Sequence, residues 1–165
     1  MADHAQPGNV SSAIDHHVGF HFSLTSTLSA RPPSGCDQLC LDYTLPHGLF
    51  ADPYELDLRS DTYSYAMDTV PDLERPVSAV PTGDTLLRLH VNPSLTHSDA
   101  VEISLPLHAR YGYLSNGDRE EAYARLFLPS PHAFWRCPGR GRLRAHQCLA
   151  PLRRLRSFKT DRRYR

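Results

Sequence analysis

Prolines set the first limit on what this chain can become. Fourteen of them fall in 165 residues, and each removes a backbone donor and clashes with the preceding helical turn. A proline about every twelve residues interrupts most stretches as long as a stable helix needs, roughly 12–15 residues even for a marginal one, which argues against a helical bundle. What remains between the prolines reads as strand. Val18, Phe20, Phe22 and Leu24 alternate with Gly19, His21, Ser23 and Thr25, and Leu39, Leu41, Tyr43 and Leu45 alternate with Cys40, Asp42 and Thr44. A two-residue period puts each apolar set on one face of a half-buried strand. Further candidates are Thr62–Met67, Thr85–Val91, Val101–Leu107 and Ala122–Leu128, with turn formers such as Pro32-Pro33-Ser34-Gly35, Pro81-Thr82-Gly83-Asp84 and Ser115-Asn116-Gly117-Asp118 between them. The spacing predicts an all-β fold, an antiparallel β-sandwich of about six to eight strands, with an irregular basic C-terminal tail.

A length of 165 residues suits one domain with a single core. The net charge is zero, yet residues 1–135 carry 7 basic and 17 acidic groups while residues 136–165 carry 11 and 1. The chain therefore divides into a flexible N-terminal segment (1–16), the sandwich (17–137) and an Arg-rich tail (138–165) expected to be disordered. Leu149, Leu152 and Leu155 recur in the tail, but Pro151 sits inside that window and opposes a helix. No run approaches the roughly 18 apolar residues of a membrane-spanning helix. Residues 1–9 lack the basic and apolar regions of a secretory signal. Asn9-Val10-Ser11 is a glycosylation acceptor triplet, whereas Asn92-Pro93-Ser94 is blocked by its proline.

Catalytic patterns are missing. There is no hydrolase elbow, phosphate-cradling glycine loop or dinucleotide fingerprint, and no pair of carboxylates stands out from those in turns and on polar strand faces. The sequence points to no catalytic residue and no cofactor. Among the ten histidines, His17 and His21 stand four apart, but in a strand that spacing is about 13 Å, too far for one ion. Cys36, Cys40, Cys137 and Cys148 lack the paired spacing of a zinc knuckle, so no metal site is expected. Four cysteines fit two disulfides in three connectivities, or none.

Two segments exceed simple strand and turn. In the first, residues 45–56, two prolines and a glycine shape the exit from a strand while Phe50 and Tyr54 must find a core or a partner. In the second, residues 105–111, Pro106 interrupts a strand and suits an edge. There His108 and Arg110 share a face, and Arg110 offers a planar fork of donors. The competing reading of Arg110 is an internal pair with Asp52 or Glu55.

LPHGLFADPYEL (45–56), DLERP (72–76), SLPLHARYG (104–112) and LPSPHAFWRCP (128–138), in this order, resemble the PIG-X family, the accessory subunit of glycosylphosphatidylinositol (GPI) mannosyltransferase I. The resemblance spans roughly residues 21–137. It implies a β-rich domain on the lumenal side of the endoplasmic reticulum membrane that stabilises a PIG-M-type catalytic subunit and does no chemistry itself. A lumenal location implies a disulfide from Cys137 to Cys36 or Cys40, and makes Asn9 a glycosylation candidate. The partner surface is expected on the second segment and the DPYEL exit loop, through Phe50, Asp52, Pro53, Tyr54, His108, Arg110 and Tyr111. Such proteins carry a signal sequence and a transmembrane helix; neither is legible here, which a truncated gene model would explain, and the stretch after Cys137 has no evident counterpart in the family.

Two other classes compete. A basic-tailed module would bind nucleic acid or an anionic membrane through residues 140–165, although the acidic body argues against nucleic acid. A small metal-dependent enzyme would use the Cys and His groups.

Overall fold

A computed structural model describes residues 4–5, 10–15, 19–29, 31–112 and 126–137, the first pair through their backbone. Nine strands appear among them: β1 His4–Ala5, β2 Val10–Ile14, β3 His21–Ser29, β4 Gln38–Leu45, β5 Leu49–Phe50, β6 Tyr63–Met67, β7 Thr85–Val91, β8 Ala100–Ala109 and β9 His132–Arg136. One short helix, α1 (Pro53–Asp57), and two 3₁₀ turns, Val77–Ala79 and Pro93–His97, complete the set. The first sheet has the order β1-β9-β4-β7-β6, the second β2-β3-β8-β5, and every pairing is antiparallel. The all-β expectation holds; the count exceeds six to eight because β1 and β5 are two-residue strands.

The two sheets meet face to face over the residues that the alternation points inward. Leu39, Leu41, Tyr43 and Leu45 of β4 join Leu87, Leu89 and Val91 of β7 and Trp135 of β9. Opposite them lie Phe22, Leu24 and Leu28 of β3 and Val101, Ile103, Leu105 and Leu107 of β8, in one buried cluster. Two hydroxyls fasten the layers. Tyr43 donates to Ser26 Oγ at 3.2 Å, and Ser26 also pairs with Ser12 at 3.0 Å; Tyr63 donates to the Ser104 carbonyl at 3.3 Å. Burial holds the Tyr43 phenol far above its ordinary value, so it stays a neutral donor.

Several expectations shift. β3 begins at His21, after Gly19 with φ of +112°, and Phe20 is exposed rather than inward; Val18 lies outside the described residues. Segment 1–16 is not wholly outside the sandwich, because β2 pairs with β3 and β1 with β9. Ala122–Leu128 gives no strand over its described part, 126–128; the strand near there is β9. Pro106 does not interrupt β8. Ala109 N–H donates to Phe20 on the β3 side and Arg110 N–H to Gly48 on the other, both at 2.8 Å. Amides alternate sides along a strand, so Pro106 turns its nitrogen to the side that two-residue β5 leaves uncovered.

Cys36 and Cys137 form a disulfide across a sequence separation of 101, one of the two pairings anticipated. A turn from Pro33 to Cys36, closed by Cys36 N–H to Pro33 C=O at 3.0 Å, presents Cys36. Gly35, with φ of +83°, supplies the left-handed residue this turn requires. Cys40 is buried in β4 with its sulfur 3.5 Å from His90 Nδ1 and takes no part in the bridge. Asn9, Cys148 and the Arg-rich tail lie outside the described residues. No helix among the described residues is long and apolar enough to cross a membrane.

Candidate functional site

Three of the four motifs in the sequence converge on one end of the sandwich. The chain leaves β4 through Pro46, turns by Leu49 N–H to Pro46 C=O at 2.7 Å, and lays β5 beside the end of β8. Gly48 leaves room there: a Cβ on it would lie 2.8 Å from Leu126 Cδ2. The DPYEL stretch, expected as a loop, is α1. Asp52 caps it by accepting from Tyr54 N–H at 2.9 Å, Pro53 enters the first turn, and Leu56 anchors the helix in the core. This is the Asp-Pro start that caps and pre-shapes a helix.

The outer face of the second sheet carries a column of side chains. His21 and His108 are cross-strand partners, as are Phe50 and His108. The imidazoles stack with centroids 4.4 Å apart and planes within 10°. Phe50 stacks on the far side of His108 at 5.1 Å, and the Arg110 guanidinium lies 4.6 Å from the Phe50 centroid, within cation–π range. From α1, Glu55 Oε2 reaches both imidazoles, 3.1 Å from His108 Nε2 and 3.4 Å from His21 Nε2.

Arg110 is an internal tie. Its Nη1 donates to the carbonyls of Asp72, at 2.5 Å, and Arg75, at 2.9 Å. Val77 N–H in turn donates to the Tyr111 carbonyl at 2.9 Å. Arg110 thus binds the DLERP segment to the end of β8, with carbonyls as partners in place of the anticipated Asp52 or Glu55. Burial lowers its pKa from the ordinary arginine value, with Asp72 opposing. Tyr63, below this end, is pushed up to about 12 by burial, with Arg59 opposing and Glu55 adding to the rise.

Of the residues singled out by sequence, Phe50, His108 and Arg110 lie in the column and Asp52 and Pro53 shape the helix beside it. Tyr54 and Tyr111 project outward at 74% and 68% exposure. Tyr111 lies 5.0 Å from the exposed ring of Phe20. Sequence reasoning did not bring His21 and Glu55 to His108. Glu55 and His108 are 53 residues apart, and no local spacing signals their meeting; the one available hint was that each falls in a conspicuous motif.

In comparisons with known proteins, the family model described as PIG-X / PBN1 matches residues 17–161. The match runs past Cys137, so most of the Arg-rich stretch falls within the family's span, contrary to the expectation that it had no counterpart there. No curated protein and no solved structure matches the chain.

Proposed function

Because the chain belongs to the PIG-X/PBN1 family, the accessory-subunit family of GPI mannosyltransferase I at the endoplasmic reticulum membrane, we propose that it is a non-catalytic subunit that stabilises a PIG-M-type catalytic subunit from the lumenal side. The observation that carries this reading is the family match over residues 17–161. The Cys36–Cys137 bridge supports a lumenal location, since disulfides persist in oxidising compartments.

The docking surface on this reading is the motif end of the sandwich. Tyr54 and Tyr111 are its anchors, because large aromatic side chains ringed by polar groups are what interface hot spots use. Phe50, Asp52, Pro53, His108 and Arg110 serve the partner by holding those anchors in place. Co-expression with the catalytic subunit tests the proposal through Tyr54→Ala. The side chain is 74% exposed, so the domain should keep its stability to within about 0.5 kcal/mol while the catalytic subunit loses co-purification and steady-state abundance. Unchanged abundance and co-purification in a Tyr54→Ala, Tyr111→Ala double variant would overturn this docking surface. Failure of the wild-type chain to co-purify with the catalytic subunit would overturn the function itself.

A further inference from the structure

We propose that His21, Glu55 and His108 form a Zn²⁺ site on the outer face of the second sheet. The three ligand atoms, two imidazole nitrogens and a carboxylate oxygen, lie within 4.8 Å of one another. They come from three separate elements, β3, α1 and β8, each fixed independently. β3 and β8 hold His21 opposite His108 in a nine-pair register, which places the two Cβ atoms about 4.5–5.5 Å apart on the same face. Asp52 caps α1 and Leu56 seats it in the core, which aims Glu55 at the pair. Two neutral imidazoles and one carboxylate are a donor set that zinc takes in open, four-coordinate sites, with the fourth position left to water. Imidazole nitrogen also selects against Mg²⁺ and Ca²⁺, which prefer all-oxygen shells.

Both Nε2 atoms already face the same oxygen, Glu55 Oε2, at 3.1 and 3.4 Å. The ion enters where these contacts now run, drawing each nitrogen and the oxygen to about 2.0–2.2 Å from the metal. A neutral imidazole that donates its Nε2 proton to Glu55 carries that proton on Nδ1 once zinc is bound, so no net charge changes on the ring. Nearly parallel stacked rings do not point their lone pairs at one centre, and one ring must therefore turn. That ring is His21, whose side chain is 59% exposed. His108, clamped between His21 and Phe50 with its side chain 24% exposed, is the fixed arm. The exposure of His21 is also the entry path for the ion.

Zinc binding is a property of the isolated chain and is independent of the partner reading above. The purified full chain, stripped with a chelator, is titrated with ZnCl₂ by calorimetry and in thermal melts. The expected result is saturable binding of one ion that involves these residues and raises the melting temperature, as any ligand specific to the folded state does, with no such response to MgCl₂ or CaCl₂. His21→Ala and Glu55→Gln should each weaken that binding by at least about tenfold, as loss of a ligand must exceed the smallest cost of losing an outer-shell partner. His21→Ala is the decisive variant because its exposed ring leaves the core untouched, and its melt in chelator should match the wild type. His97→Ala, at an exposed histidine in the 93–97 turn, should bind like the wild type. Absence of zinc binding, or binding that His21→Ala and Glu55→Gln leave unchanged while His97→Ala or a cysteine variant abolishes it, would overturn the site.

Discussion

Arg88 and Asp42 face each other across β7 and β4 in a two-pronged pair, Nε to Oδ1 at 2.5 Å and Nη2 to Oδ2 at 2.6 Å. Their side chains are only 14% and 12% exposed, and the guanidinium lies 5.2 Å from the Phe134 centroid. Removing the arginine leaves Asp42 with little water to replace it, so Arg88→Ala should destabilise the protein by about 3–5 kcal/mol, read from urea unfolding. A loss below about 1 kcal/mol would rank the pair with ordinary surface bridges. Neither this pair nor the Arg110 tie could be read from charge alone. Sequence shows that an arginine is charged and well supplied with donors, but the carbonyls of Asp72 and Arg75 come within its reach only through the path of the chain between β6 and β7.

The strands that were legible are those whose two faces differ. β3 and β8 show the expected inward and outward alternation over most of their length, and β4 and β7 follow closely. β9 was hidden because Ala133, Phe134 and Trp135 are all buried, which removes the period-two contrast. β2, with Ser11, Ser12 and Ala13, offers too little apolar contrast to register. α1 is five residues long, too short for a 3.6-residue period, although its Asp-Pro start was a usable sign. That start can be tested: Asp52→Ala should cost about 1 kcal/mol of stability by denaturant titration. It should also loosen Glu55 from His108, seen as a change in the His108 ring resonances. An unchanged stability and spectrum would show that Leu56 alone seats the helix.

For the molecule as a whole, the Cys36–Cys137 bridge joins the turn just before β4, the central strand of the first sheet, to the residue that follows β9, the strand paired beside it. A closed loop spanning 101 residues restricts the unfolded chain, for about 4–5 kcal/mol of stabilisation in the entropy model. The double variant Cys36→Ala, Cys137→Ala should therefore melt well below the wild type without reductant and at the same temperature with or without it. The fold class was legible because alternation and turn spacing both report a sandwich. Sheet order was not, since it depends on pairings between distant segments. One such pairing sets a clock. β4, at the centre of the first sheet, is flanked by β7 and by β9, and β9 is made last among the described strands. At roughly 5–20 residues per second of synthesis, the stretch from Leu45 to His132 takes about 4–17 s. Until β7 is made both hydrogen-bonding flanks of this buried strand are open, and from then until β9 emerges one still is, so folding factors meet the sheet's centre unfinished.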